Sequence, residues 1–345
     1  MKKIIGIAVF LLLLYAFMWW YLSAEGFGSA GNHFNLSRRI GMWGVLGLGI
    51  CFLIITGNID LSIGSLVGMC ATLWALLTFR EGMSPWLATL IVVGTGACVG
   101  LLHGLLVTKL KLQSFVVTLC GLFIYRGLAR VFARDQSIGE GLLAKDAPSR
   151  ASYLDFLRLF YETPIGPHAF LWICLALALV LAVLLHWSVY GRYLFAIGNN
   201  EPAARFSGIA SDRYKIFCFI LCSMLAALCS VMFVLENKSV QPSGVGSFFE
   251  LYAIAAAVLG GCSLRGGEGT VVGVLIGTTI IVLLSNFAIL AGVGDNYIPI
   301  MMGMSLLLGA VLDEAVRQGK FGQLRRWLAK GGPRSSGSDG PVKVP

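Results

Sequence analysis

An all-α bundle of about ten transmembrane helices, some of them broken or re-entrant, is the fold this sequence predicts, and three observations predict it. Hydrophobic residues make up 57% of the 345 and charged residues only 12%, where a soluble domain carries roughly a quarter. Mean hydropathy is +0.82. The apolar residues fall in runs of membrane-crossing length, about 20 residues each, parted by short polar or basic stretches. The 43 glycines fit the same picture, because small residues let transmembrane helices approach closely. The formal charge of +9 does not indicate nucleic acid. Its basic residues sit in short loops and in the tail, where retention on the cytoplasmic side explains them.

The elements follow in order. Met1-Lys2-Lys3 precedes an apolar run from Ile4 to Leu22. This run is longer than a typical signal-peptide core and has no small-residue cleavage site, so it reads as a first span with its N-terminus inside. Spans are then expected over Ile40–Thr56, Leu61–Phe79, Pro85–Val107 and Ser114–Phe132, the last with Arg126 and Arg130 near its end. A polar segment, 133–168, is long enough for a small element on the periplasmic side. Further spans cover Ala169–Trp187 and Ile216–Leu235. Phe248–Leu259 is too short for a full crossing, which marks a tilted, broken or re-entrant segment. Val271–Leu290 and Ile298–Leu312 complete a membrane domain over 1–314. The tail, 315–345, is basic and then rich in Gly, Ser and Pro, and its last dozen residues are expected to be disordered.

An inside N-terminus puts Lys109, Lys111, Arg192, Arg205, Arg213, Lys215, Arg265 and the basic tail on the inner face, so both termini lie inside. Arg38, Arg39, Arg80, Arg134, Lys145, Arg150, Arg158 and Lys238 fall outside. The inner face carries more, though Arg38 and Arg39 count against the placement of the first two spans. All 9 cysteines lie in apolar runs and read as small buried hydrophobes.

Three stretches break the apolar pattern. The loop 191–215 is short and basic, and its Glu201–Gly208 segment reads as a compact surface helix. Asn199 or Asn200 can cap it and Pro202 suits its first turn. Glu201 favours the positive end of the dipole, and Gly208 allows a left-handed exit. A helix of this kind between two spans is either an ordinary capped loop or a shape for docking into a cleft on a soluble partner. In the second stretch, Gly57–Ser65, Asp60 is a carboxylate near membrane depth, a functional candidate by default. Asp60 either caps a helix restart after Gly57, or joins Asn58, Ser62 and Ser65 in lining a polar passage. The third is a tight structural turn built on Gly260, Gly261, Gly266, Gly267 and Gly269, with Ser263 and Thr270 able to cap and Arg265 and Glu268 able to stay wet. It lacks G-K-[ST] and a parallel-strand context, so no nucleotide site is expected on this chain. Asn286, alone in an apolar span, suits a bond between helices better than a substrate contact. No nucleophile–base pair, catalytic residue or metal-ligand set emerges, and His103, the one histidine well inside a span, reads as packed and satisfied.

Taken together, the residues resemble the permease subunits of ribose-type ABC sugar importers, nearly end to end from about Arg39 to Glu314. The motifs that carry the resemblance are GNIDLSIGSL (57–66), GLLVTKLKLQSFVVTL (104–119), YRGLA (125–129), GRYLFAIGNNEPAARFSGI (191–209) and GGCSLRGGEGTVVG (260–273). It implies about ten transmembrane helices, a pathway formed by two permease subunits, and a bacterial cytoplasmic membrane. It also implies a separate cytoplasmic ATPase, which holds ATP and its magnesium, and a periplasmic or lipoprotein sugar-binding protein. Glu201, Ala203, Ala204 and Gly208, with Asn200 and Arg205 beside them, match the family's ATPase-contacting loop. The chain departs from the family at Asn58, where a second glycine is common, at Cys120 before Gly121, and at Asn296-Tyr297-Ile298-Pro299 before the last span. Two other readings stand against an ATP-driven importer. One is an ion-coupled secondary transporter cycling a proton on Asp60, and the other is a non-transport membrane scaffold.

Overall fold

The computed structural model describes residues 2–143, 148–162 and 166–293, with isolated positions beyond. The helices in chain order are α1 (Lys2–Tyr21), α2 (Ala30–Ile55), α3 (Ile63–Ala75), α4 (Pro85–Thr108), α5 (Ser114–Ala133), α6 (Pro148–Tyr161), α7 (Ala169–Ala182), α8 (Val189–Asn199), α9 (Glu201–Phe206), α10 (Ser211–Asn237), α11 (Phe249–Leu259) and α12 (Val271–Leu290). The last turns of α3 and α7 widen into π-type turns over Leu76–Arg80 and Val183–Trp187. Among the described residues, eight helical segments are long and apolar enough to cross a membrane, and α11 is a shorter apolar one. The span expected over Ile298–Leu312 and the tail, 315–345, lie outside the described residues.

Local chemistry sets many of the boundaries. Ser29 and Thr270 accept from the backbone N–H groups of Asn32 and Gly273, capping α2 and α12, and proline opens α4 where its missing N–H is no loss. The main correction concerns α2, which begins ten residues before the expected Ile40. Its polar first turns are held by tertiary partners. Asn32 exchanges side-chain hydrogen bonds with Asn286 of α12, and His33 meets the Tyr15 hydroxyl of α1 at 2.9 Å. Arg38 lies 3.8 Å from Glu236 and stacks over the Tyr161 ring.

The core is built from α2, α3 and α10, whose hydrophobic windows are 72–78% buried, whereas α1 is peripheral at 6%. Backbones touch where α4 crosses α10. A Cβ at Gly96, Gly100 or Gly104 would stand 2.6, 2.5 and 2.8 Å from atoms of Ser223, Phe219 and Ile216, so this contact requires glycine. Seven cysteines are buried as expected, but Cys98 and Cys120 are exposed on the outer faces of α4 and α5. The segment after α5 carries β1 (Ile138–Gly139), which pairs antiparallel with β2 (Ser239–Val240) after α10. With the Arg38–Glu236 and Tyr161–Glu236 contacts, this gathers β1 and the end of α6 at one end of α10. The other end of α10 carries α9.

Candidate functional site

The α8–α10 region is built from caps and ion pairs. The Asn200 side chain accepts from the Ala203 N–H at 3.0 Å, so Asn200 and not Asn199 is the cap of α9. Gly208 leaves the helix at φ +83°, the left-handed exit its position required. Glu201 is half-buried and ion-paired within the chain. It accepts from Arg205 at 2.9 Å and from Lys215 of α10, while Arg205 also bonds Asp212 and Lys109 stands 3.5 Å from Asp212. These contacts fix α9 to α10 and bring the end of α4 to the same face. Ala204 is buried beneath α9, and Phe206 is 94% exposed, with its whole ring offered to the surroundings. A cleft of about 480 Å³, lined by Tyr190, Tyr193, Gly208, Arg213 and Tyr214, runs beside it. The sequence reading missed α8 and Phe206. The inward face of α8 is only Gly191, Leu194 and Ile197, too few positions for a clear periodicity.

The glycine turn seats directly against this region. The Gly267 N–H donates to the Ile55 carbonyl at 2.9 Å, and Asn199 Nδ2 reaches the Gly267 carbonyl at 3.5 Å. Gly198 lies so close to the Ile55 carbonyl oxygen and the Gly267 nitrogen that no Cβ fits there. Gly266 and Gly267 have φ of +89° and +74°, and Gly266 packs on Gly57. Gly260 and Gly273 meet backbone to backbone, which lets the turn lead into α12. Gly261 and Gly269 complete the turn, the latter against Ile55 and Cys262. The end of α8, the glycine turn and the end of α2 therefore form one joint. Arg265 and Glu268 stay on its exposed surface.

Beyond Ile55 the chain leaves α2 through Gly57, at φ +75°, into the break before α3. Asn58, Asp60, Ser62 and Ser65 are all buried there. Asn58 donates to the Thr56 carbonyl and hydroxyl. Asp60 Oδ1 accepts from the Ser62 N–H at 2.7 Å and the Ser62 hydroxyl at 2.6 Å, and Ser65 donates to the Ser62 carbonyl. Asp60 thus closes the turn that restarts the helix. Asn286 lies away from this cluster, in its pair with Asn32.

Four side chains that the sequence did not connect complete the surroundings of Asp60. His103 of α4 places Nδ1 3.7 Å from Asp60 Oδ2, and its Nε2 is 2.8 Å from the Tyr125 hydroxyl of α5. Glu250 of α11 is buried where Gly64 leaves room for its carboxylate. Arg126 donates to the Val245 carbonyl, just ahead of α11. The usable signal was ionisable residues within apolar segments, which are expensive in a membrane; their convergence is tertiary.

The chain matches the family described as "Branched-chain amino acid transport system / permease component" over residues 32–311. The ribose import permease protein RbsC of Escherichia coli K12 is 32% identical over 290 residues, 84% of this chain and 88% of that protein. Its namesake in Bacillus subtilis strain 168 is 37% identical over 285 residues, 82% and 84% of the two chains. The autoinducer 2 import system permease protein LsrC of Yersinia enterocolitica is 33% identical over 293 residues, covering 83% and 78%. No solved structure matches the chain.

Proposed function

Because the chain belongs to this permease family, among the ribose-type ABC importers, we propose that it translocates a sugar or similar small polyol delivered by an extracytoplasmic binding protein. A separate cytoplasmic ATPase drives the cycle by docking on α9, and a second permease subunit completes the pathway. Lipid surrounds the pair in a bacterial inner membrane, with both termini on the cytoplasmic side. The multi-pass architecture and the relatives' names, for ribose and autoinducer 2 import, support this reading.

The observation that carries the coupling role is α9 itself. It is rigidly capped and ion-paired to α10, yet it leaves Phe206 94% exposed beside an aromatic cleft. An aromatic anchor of that kind is what a protein interface buries at its centre. Force applied there has a route inward, because Asn199 and Gly198, next in the chain, contact Gly267 and Ile55 at the foot of α2. A rigid-body push on α9 would therefore reach the Gly57–Asp60 break, and domain movements of this type are a recognised means of switching.

The test is a pull-down from detergent extract with this chain as bait, comparing wild type with the Glu201→Ala/Gly208→Pro double variant. The expected result is an ATPase that co-purifies with wild type and is lost or uncoupled in the variant. No ATPase under any mild extraction would sink the proposal.

A further inference from the structure

The run of turns between β2 and α11, residues 242–248, is non-helical backbone at membrane depth. Two contacts fix its position. Arg126 of α5 donates from Nη1 to the Val245 carbonyl and, at 3.5 Å, to that of Ser243. Arg126 itself lies about 10 Å in from the nearer end of α5. The Val245 carbonyl also packs on Gly68 of α3, where a Cβ would come within 2.7 Å of its oxygen. Gly68 lies about 18 Å from the Arg80 end of its span. Backbone of this kind is tolerated inside a bilayer only where protein buries it or where it lines water. Pro242, Val245 and Gly246 are buried, but Ser243, Gly244 and Phe248 are exposed, as is Gln241 just ahead of them.

Lipid is therefore not what covers the exposed edge, and the side chains there suit a polar solute. Arg126 spends Nη1 on the turns, and among the described residues its Nε and Nη2 have no partner. A guanidinium inside an apolar span is costly and marks a functional position. Phe248 sits at φ +65°, a conformation that a bulky residue adopts under strain. Its neighbour Phe249 packs on Trp43 and Phe233, whereas the left-handed turn leaves Phe248 52% exposed. Glu250 is buried against Gly64. The open face thus carries a guanidinium, an amide, a hydroxyl and one aromatic ring. A sugar presents a rim of hydroxyls and an apolar face of C–H bonds, and small-molecule sites pair aromatic lining with a few placed polar groups. The polar residues around Asp60 are buried and offer no such face.

We propose that Gln241, Ser243 and Phe248, with Arg126, line the water-filled passage and form the surface that the sugar meets as it crosses. The guanidinium and the Gln241 and Ser243 side chains exchange hydrogen bonds with its hydroxyls, and the Phe248 ring carries its C–H face. The identity of the solute rests on the importer reading, whereas the wetness of this surface does not.

The experiment labels Ser243→Cys in proteoliposomes of the purified full chain, with a charged, membrane-impermeant methanethiosulfonate on both sides of the membrane. The background is Cys98→Ser/Cys120→Ser, which removes the two exposed native thiols. The expected rate is at least about tenfold that of Leu102→Cys on the exposed face of α4, because only a thiol in water yields the reactive thiolate. Phe248→Gly then separates the ring from the backbone, since glycine takes a positive φ without strain. It should keep the wild-type Tm, yet lower ATP-driven uptake from a panel of pentoses and hexoses about tenfold, as the loss of one ring contact implies. Phe248→Tyr should retain uptake. A Ser243→Cys thiol that reacts no faster than Leu102→Cys overturns the proposal, the turns then being covered by lipid or by a second subunit. Full uptake by Phe248→Gly overturns it as well. No uptake of any panel sugar by the wild-type assembly counts against the importer reading instead, and the labelling rates still decide whether the surface is wet.

Discussion

Gly198→Ala is the substitution for which local and tertiary physics disagree most sharply. Gly198 lies in the last turn of α8, where alanine gains up to about 1 kcal/mol of helix propensity over glycine. On propensity alone the change would stabilise the protein. A Cβ at this position, however, would overlap the Ile55 carbonyl oxygen and the Gly267 nitrogen, both backbone atoms that cannot rotate away. Overpacking of this kind typically costs about 1–3 kcal/mol. Parting the two backbones also breaks the Gly267 N–H to Ile55 bond, and a polar group left buried without a partner costs a further 1–3 kcal/mol or so. Taking midpoints of about 2 for each cost and subtracting the gain leaves a net loss of about 3 kcal/mol. That corresponds to a fall in Tm of roughly 4 °C in a chain of this size. Gly94→Ala on α4 is the control, because nothing lies within 4 Å of a Cβ there. Thermal unfolding in detergent gives both values. If Gly198→Ala melted at the temperature of Gly94→Ala, the joint between α8, the glycine turn and α2 would be wrong.

Two further outcomes follow from α9. Burial by itself would push the Glu201 carboxyl up, but hydrogen bonds from Lys215 and Arg205 outweigh it and hold the carboxyl below its ordinary value. A carboxyl lowered in the folded state stabilises it above the unfolded pKa of about 4.3 and loses that contribution as pH falls through the folded value. Amide exchange in α9 should therefore be slow at pH 6 and accelerate beyond the intrinsic trend below about pH 4; an unchanged protection factor would contradict the network. Asn200→Ala removes the side chain that caps Ala203, at a cost of about 1 kcal/mol to α9. Faster exchange at the Ala203 and Ala204 amides, with the Tm of the bundle nearly unchanged, is the expected signature.

Much of the bundle was legible because its signal is local. Apolar runs bounded by Pro85 or Thr270 gave α4 and α12 to within a residue, and the short α11 was readable from its length alone. The start of α2 was not legible, since Asn32, His33 and Arg38 look like loop residues until Asn286, Tyr15 and Glu236 are brought to them. The cap and exit of α9 follow from Asn200 and Gly208, whose roles depend on their immediate neighbours. The ion pairing of Glu201 depends on Lys215 of the next helix, and the environment of Asp60 on side chains from two others. Periodicity cannot report such distances, although a histidine and a glutamate inside apolar segments were warning enough to look for partners.

The measurement that tests the central claim most directly is uptake from a panel of radiolabelled pentoses and hexoses into proteoliposomes holding this chain with the ATPase and sugar-binding protein that the proposed function calls for. The expected result is accumulation that needs ATP and the binding protein, persists when the proton gradient is collapsed, and is abolished by Gly208→Pro. Uptake that runs without ATP, follows an imposed pH gradient and is lost only with Asp60→Asn would contradict it, and would identify an ion-coupled carrier instead.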